Sequence, residues 1–395
     1  MKYDICIVGG CGHVGLPLGM AFADKGQNVV LYDINDVVIE KVNKGIVPFK
    51  ENGAEEVLSR VIKSKKLLAT HDTSVIGKSK VVVLVIGTPV DEHLNPKVSE
   101  IIKAVKEIED QLSDDQLLVM RSTLYPGVTE KVEAYLRKQG KETLVAFCPE
   151  RIIEGHALTE LYELPQIVAG TSDEATAQAS KLFKILTKKI LVTKPTEAEL
   201  AKLFTNTWRY INFAISNQFY MIANSHNLDF YNIYNAMTED YPRLKTFAKA
   251  GLAAGPCLFK DTMQLSAYSG NNFFLGHSAM LVNEGLPGFV VDAMKQKHDL
   301  SKKTVAVLGM AFKGNNDDPR ESLSYKLKKQ LEVEADVVLC HDPYIQDSRF
   351  VSLDVIREKA DIVVLATPHS IYAEEDWGDK EVVDMWNFYG NGGLV

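Results

Sequence analysis

Cys257 lies in Gly255-Pro256-Cys257-Leu258-Phe259-Lys260-Asp261, with a lysine close behind it and a helical pattern starting at Asp261. A thiol needs a nearby cation or a helix N-terminus to act as a nucleophile near neutral pH, and this setting offers both. Far upstream, Gly10-Cys11-Gly12-His13-Val14-Gly15 is a GxGxxG that follows an apolar strand pattern and opens an apolar helix. There its glycines allow a tight turn, close approach of backbone to a pyrophosphate and close helix packing, while the helix N-terminus stabilises phosphate charge. Asp33 ends the next strand pattern, about 20 residues on, where a carboxylate accepts adenosine ribose hydroxyls and repels a 2′-phosphate. NAD is therefore expected rather than NADP. A hydride acceptor combined with a reactive thiol is chemistry for oxidising an alcohol beyond the aldehyde, through a thiohemiacetal and a thioester that water hydrolyses. Taken alone, such a cysteine is more often a buried core residue; the glycine turn upstream favours the chemical reading.

The elements that must position these residues follow from periodicity. The first third alternates short β-branched runs with helical patterns, as a parallel α/β sheet requires. Strands are expected at Ile5–Val8, Val29–Tyr32, Val81–Ile86, Leu117–Met120, Leu144–Phe147 and Ile190–Val192. Gly87-Thr88-Pro89 falls at the carboxyl edge of that sheet, where Thr88 either touches the nicotinamide half of the cofactor or merely closes a turn. From Thr196 to about His226, apolar Leu200, Leu203, Phe204, Trp208, Ile211, Ile215, Phe219 and Ile222 recur at helical spacing with no proline between them. Such a helix is either a buried core element or a surface for a second copy of the chain. An echo then follows: Lys303–Gly309 resembles Lys2–Gly9, Val337–Asp342 resembles Val29–Asp33, and Asp361–Pro368 resembles Lys80–Pro89. The expected fold is α/β, with two Rossmann-like parallel-sheet domains (1–195 and 301–395) joined by a helical central domain (196–300) that carries the long helix.

The chain has 395 residues, 46% hydrophobic and 24% charged, which is ordinary for a globular protein of two or three domains. A formal charge of −8 argues against a nucleic-acid partner, yet leaves room for an anionic small molecule held by a local basic cluster. The five cysteines are scattered, with no CxxC pair, so neither a metal site nor a disulfide framework is expected and the cytoplasm is the simplest location. No signal peptide and no membrane-spanning run are read.

Together these motifs resemble the nucleotide-sugar 6-dehydrogenases, the UDP-glucose/GDP-mannose dehydrogenase family. The resemblance spans nearly the whole chain and rests on Gly10–Gly15, Gly87-Thr88-Pro89, Ser122-Thr123 before Pro126-Gly127, Pro149-Glu150-Arg151, Lys202–Asn206, Pro256–Asp261, Gly309–Lys313 and Asp317–Ser322. It implies an NAD-dependent enzyme in which Cys257 is the nucleophile. Lys202 and Asn206, four apart on one helix face, would stabilise the oxyanion. Asp261 would position or deprotonate water, and Thr123 and Glu154 would assist proton movement, Thr123 bordering the cofactor as well. Glu150 and Arg151 would line the substrate pocket, together with Lys260 and Arg243. The ordinary alternatives are a solvated Lys202 and turn or cap roles for Glu150 and Glu154.

The C-terminal copy lacks the phosphate-binding glycines, since Met310, Ala311 and Phe312 follow Gly309. Lys313 and Arg320 would instead hold the diphosphate of a UDP-sugar; Arg320 has the alternative of holding Asp317 or Asp318 in a loop. Ala254 departs from the family pattern, where a glycine is expected. The sugar is read from conflicting signals. Pro149–Gly155 and Tyr241-Pro242-Arg243 resemble the UDP-N-acetylhexosamine branch, whereas Leu258–Asp261 keeps features of the glucose and mannose branches. The resemblance also implies a homodimer through the central helix. Two other classes compete: a two-electron hydroxy-acid dehydrogenase, which leaves Cys257 unused, and a non-catalytic NAD-sensing scaffold.

Overall fold

The computed structural model describes residues 2–88, 90–91, 96–252 and 255–395. Pro89 and Ala254, both singled out above, lie outside the described residues. The chain divides into two compact units, Met1–Thr205 and Asn206–Val395.

The first unit opens with β1 (Tyr3–Val8), α1 (Gly15–Asp24), β2 (Val29–Tyr32), α2 (Asp36–Asn43), α3 (Ala54–Lys63), β3 (Leu67–Thr70), α4 (Ser74–Gly77) and β4 (Ser79–Leu84). It continues with α5 (Val98–Ile108), β5 (Leu117–Met120), α6 (Val128–Lys138), β6 (Leu144–Phe147), α7 (Ala157–Glu163), β7 (Gln166–Gly170), α8 (Asp173–Phe183) and β8 (Ile190–Val192). The long helix α9 (Pro195–Ser225) then begins, and the division between the units falls within it. The eight strands order as β3-β2-β1-β4-β5-β6-β7-β8, parallel throughout except at the β6–β7 pair. Alternation sends Ile5, Ile7 and Leu31 to a core with Leu18, Phe22 and Phe183. Cys6, Val8, Val30 and Val82 go to a second core with Val105 and Val132. A sheet covered on both faces needs such near-continuous apolar runs. The chain reverses its direction of growth between β1 and β4, the switch point where such sheets open a ligand crevice.

The first sheet differs from expectation in the bounds of β4 and in two further strands. β4 ends at Leu84 rather than Ile86, because the Ile86 amide leaves the ladder and donates to Ser122 Oγ (2.7 Å). β3 and β7 were not anticipated: β3 is a four-residue edge strand with Leu68 exposed, and β7 directly follows Pro165, which reads as a breaker.

The second unit takes the rest of α9 and then α10 (Phe230–Thr238), α11 (Leu258–Tyr268), α12 (Phe274–Lys297), β9 (Thr304–Leu308) and α13 (Leu323–Glu334). β10 (Val337–His341), α14 (Leu353–Lys359), β11 (Ile362–Leu365) and β12 (Glu381–Val383) complete it. Its sheet is parallel, in the order β10-β9-β11-β12. One core joins Tyr220, Phe230, Leu286 and Val290 of the helices to Val305, Val307, Leu327 and Val364. The helical stretch and the last sheet are therefore a single packed body.

Candidate active site

The glycine turn is shaped by the sheet beneath it. Gly9 has φ +73°, and a Cβ there would lie 1.9 Å from Val85 O; one on Gly15 would lie 2.6 Å from Gly9 O. Those glycines are demanded by the fold itself. Gly12 differs, since the nearest atom to an added Cβ is Gly9 O at 4.0 Å. The absence of a side chain at Gly12 is not explained by protein packing, and it leaves the backbone open to a phosphate. Asp33 accepts from Cys11 N (2.9 Å) through Oδ2 and from Asn35 N (3.1 Å) through Oδ1, which ties the end of β2 to the turn. His13 stacks on Phe49 with ring centroids 4.1 Å apart, and Val14 is the N-cap of α1. The turn thus fits a dinucleotide, with a shaped loop, a helix N-terminus and a carboxylate at the second strand.

Further along the same unit, Thr88 and Thr123 are half-buried in the loops after β4 and β5. The second of these loops is anchored by a residue the sequence did not single out. Glu199, fully buried in the first turns of α9, accepts from Gly127 N (2.5 Å), Thr129 N (2.8 Å) and Thr129 Oγ1 (2.6 Å). It caps α6 from outside, and burial raises its pKa against those hydrogen bonds. Glu150 is committed to structure in the same way. Its Oε2 pairs with Arg121, and its Oε1 accepts from Arg151 N (2.7 Å) and Ile152 N (2.9 Å). Arg121 is 1% exposed, also donates to Cys148 O (3.1 Å) and Gln166 Oε1 (3.0 Å), and lies over the Phe183 ring. Arg151 donates to Pro165 O, and burial depresses its pKa. Glu154 is half-buried in this loop, which is fastened by Gly155 N donating to Glu51 Oε2 (2.8 Å). Arg121 and Glu199 carried no sequence signal beyond the motifs that flank them.

Lys202 is 9% exposed, and among the described residues its ammonium makes no ion pair or hydrogen bond. A buried, unpaired cation is costly unless something anionic arrives to meet it.

In the second unit, α11 starts at Leu258, earlier than expected, so Cys257 is its N-cap residue. The other four cysteines are buried, and burial pushes Cys6, Cys11 and Cys148 up to about 12 and Cys340 up to about 11. Cys257 is the one exposed thiol. Asp261, one turn along α11, is fully buried; its Oδ2 accepts from Asn206 Nδ2 (2.6 Å) and its Oδ1 lies 3.3 Å from Lys260 Nζ. Asn206, Cys257, Lys260 and Asp261 are thus gathered at one helix end. Arg243 is not among them: it is exposed on the turn Pro242–Leu244 and folds back on the Tyr241 ring.

The loop after β9 mirrors the first turn. Gly309 has φ +84° and a Cβ there would lie 2.4 Å from Thr367 O, as Gly9 meets Val85. Asp342 accepts from Met310 N (2.6 Å) and Ala311 N (3.0 Å), as Asp33 does from Cys11 N. Phe312 then stands where Gly12 stands in the first turn. Lys313 lies 5.8 Å from the Phe312 ring centroid. The Arg320 guanidinium holds Asp318 through Nε (2.9 Å) and Nη2 (2.5 Å), the loop-holding alternative raised from the sequence. Gly255, with φ +109°, comes so close to Phe312 that a Cβ would lie 2.6 Å from the ring. The cysteine turn and the loop bearing Lys313 are therefore in contact within this unit.

Comparison with known proteins agrees with this division of labour. Residues 3–187 match the NAD binding domain of the UDP-glucose/GDP-mannose dehydrogenase family, 196–284 its central domain and 306–391 its UDP binding domain. A UDP-N-acetyl-D-mannosamine dehydrogenase of Pyrococcus horikoshii is 31% identical over 93% of this chain and 90% of its own length. The solved structure of a UDP-D-ManNAc dehydrogenase from that organism superposes with a TM-score of 0.88 at 30% identity, covering 95% of this chain and 91% of the other. A UDP-glucose dehydrogenase from Pyrobaculum islandicum superposes at 0.89 with 25% identity, covering 98% and 94%.

Proposed function

The chain belongs to the UDP-glucose/GDP-mannose dehydrogenase family, and on that premise we propose that it oxidises the C6 alcohol of a UDP-N-acetylhexosamine to the uronate through a Cys257 thioester. As an NAD-dependent nucleotide-sugar dehydrogenase it draws its oxidising power from NAD+, which when bound accepts hydride at each of two oxidation stages. The observation that carries the proposal is an exposed thiol at the N-cap of α11 beside the buried Asn206–Asp261–Lys260 network.

Gly10, Gly12, His13, Val14 and Gly15 present the turn to the pyrophosphate, Asp33 meets the adenosine ribose, and Thr88 and Thr123 border the nicotinamide side. The N-terminus of α11 favours negative charge at the Cys257 sulfur, which adds to the aldehyde carbon. Lys202 supplies the cation for the resulting oxyanion; its burial without a partner among the described residues supports this role. Asn206 fixes Asp261, whose carboxylate orients water against the thioester, with Lys260 alongside. Thr123 and Glu154 move the proton from the C6 hydroxyl. Glu150 and Arg151 shape the substrate loop, with Arg121 locking Glu150. Lys313 takes the diphosphate, joined by Arg320 once it turns from Asp318. Arg243, exposed on its turn, reaches substrate only by rearrangement or from a second copy. That copy is proposed to pack on the exposed stripe of Phe204, Trp208, Ile215, Phe219 and Ile222 along α9.

The sugar is assigned from Pro149–Gly155 and from the identity to UDP-N-acetyl-D-mannosamine dehydrogenases. The test counts NADH per sugar over a panel of UDP-N-acetylhexosamines, UDP-glucose and GDP-mannose. Two per UDP-N-acetylhexosamine is expected. One per sugar would mark a simple alcohol dehydrogenase, and a higher kcat/KM for UDP-glucose would move the enzyme to that branch. Cys257→Ser should retain UDP binding while uronate formation stops; undiminished uronate would remove the thioester.

A further inference from the structure

His369 and Asp342 form a wholly buried pair in the second unit, with Nε2 and Oδ2 3.0 Å apart. The Asn315 amide lies 2.9 Å from His369 Nδ1. A backbone N–H only donates, so Nδ1 accepts and the ring proton sits on Nε2, pointing at Asp342. Asp342 gathers four amides besides: Met310 (2.6 Å) and Ala311 (3.0 Å) on Oδ2, Tyr344 (2.8 Å) and Ile345 (3.0 Å) on Oδ1. The pair thus pins both ends of the loop from Met310 to Asn315, the stretch that carries Phe312 and Lys313.

Its neighbours tighten the same loop. Asn315, at φ +56°, accepts from Ser370 N and Ser370 Oγ, each at 2.9 Å. A Cβ on Gly314 would lie 2.5 Å from Pro368 O, so that backbone passes directly over the segment bearing His369. Thr367 Oγ1 donates to Ala311 O (2.6 Å). On the loop's other side, the Phe312 ring carries Gly255, two residues from Cys257.

We propose that His369 is a positioning residue for the reaction: with Asp342 it sets the loop Gly309–Asn315 so that Lys313 meets the diphosphate and Phe312 seats the Gly255–Cys257 turn. This rests on the reading of Lys313 as a diphosphate ligand. His369 touches neither substrate nor cofactor; it acts through the loop. Substitution should therefore weaken UDP binding and lower kcat together while sparing NAD+.

The test uses the full chain, with UDP as calorimetric probe, NAD+ as internal control, and steady-state kinetics on the preferred UDP-sugar. His369→Leu removes both hydrogen bonds and should raise the UDP Kd about tenfold, with NAD+ affinity within about twofold of native. His369→Asn keeps an acceptor near the Asn315 amide and should recover part of the lost UDP affinity. Asn315→Gly suits the positive φ, deletes the bonds to Ser370 and should act in the same direction to a lesser degree. UDP Kd and kcat within about twofold of native in His369→Leu would overturn the proposal, as would equal losses of UDP and NAD+. If His369→Leu does not fold, an unchanged UDP Kd in Asn315→Gly overturns it instead. Lys313→Ala separates the two levels. Native UDP affinity in that variant refutes the diphosphate reading and the clamp with it. Weakened binding in Lys313→Ala beside native binding in His369→Leu refutes the clamp alone.

Discussion

Two glycines of one turn should fail in different ways when each is given a methyl group. Gly9→Ala places a Cβ 1.9 Å from Val85 O at a backbone φ of +73°. The left-handed conformation costs about 1–2 kcal/mol for an L-residue, and overpacking adds about 1–3 kcal/mol. At roughly 2–4 °C per kcal/mol for a unit of this size, the melting temperature should fall on the order of 10 °C. Gly12→Ala meets no atom nearer than Gly9 O at 4.0 Å and has no positive φ to strain. Its melting temperature should stay within about 2 °C of native. Its NAD+ affinity should fall at least about tenfold, because a methyl group in the cradle blocks charge-assisted bonds from backbone amide to phosphate. Differential scanning fluorimetry and calorimetry with NAD+ read the two effects separately. Native NAD+ affinity in Gly12→Ala would refute the cradle. A melting loss equal to that of Gly9→Ala would show that Gly12 serves packing instead.

Asp33→Ala frees the Cys11 and Asn35 amides and removes the charge facing a 2′-phosphate, so NAD+ affinity should drop while the preference over NADP+ narrows; an unchanged NAD+/NADP+ ratio of kcat/KM would place the cofactor elsewhere. Burial raises the Asp342 carboxyl, but His369 and the surrounding amides outweigh it and hold the group at about 2, below its ordinary 3.8. The depressed value stabilises the fold above pH 3.8, by roughly 2 kcal/mol, and that contribution is lost as pH falls from about 4 through about 2. Asp342→Asn should lose it at neutral pH and flatten that acid limb in urea titrations, and a profile superimposable on native would refute the assignment. Trp208→Glu with Phe219→Glu should convert a dimer to monomer by light scattering if the α9 stripe seats a second copy; a double variant of native mass would end that assignment.

What the sequence made legible follows the range over which each interaction acts. The GxGxxG turn, Asp33 and the β-branched strands are local patterns with one physical solution, and β2, β5 and β6 lie where the runs of Val29–Tyr32, Leu117–Met120 and Leu144–Phe147 put them. α9 was equally clear, because a 31-residue helix repeats its own signal many times over. Arg121 was not legible. Its partners Cys148, Glu150 and Gln166 stand 27 to 45 residues away, and nothing near Arg121 marks it as buried. Glu199 capping α6 across 70 residues is the same case. The local reading of Glu150 and Arg320 was ambiguous for a related reason: each has a nearby backbone or side-chain partner that satisfies it with or without a ligand.

The two glycine-headed turns show how one scaffold can be divided between two tasks. Each keeps a glycine at positive φ against the neighbouring strand and a carboxylate just past the second strand that accepts from the turn's backbone N–H groups, one at Asp33 and two at Asp342. At the position where phosphate would approach, the first turn has Gly12 and the second has the ring of Phe312. That ring packs against Gly255, two residues from Cys257. If Lys313 holds the diphosphate and Cys257 is the nucleophile, as proposed, substrate recognition and thiol placement would be coupled, because the loop 310–315 that carries Lys313 and supports Gly255 rests on the Asp342–His369 pair.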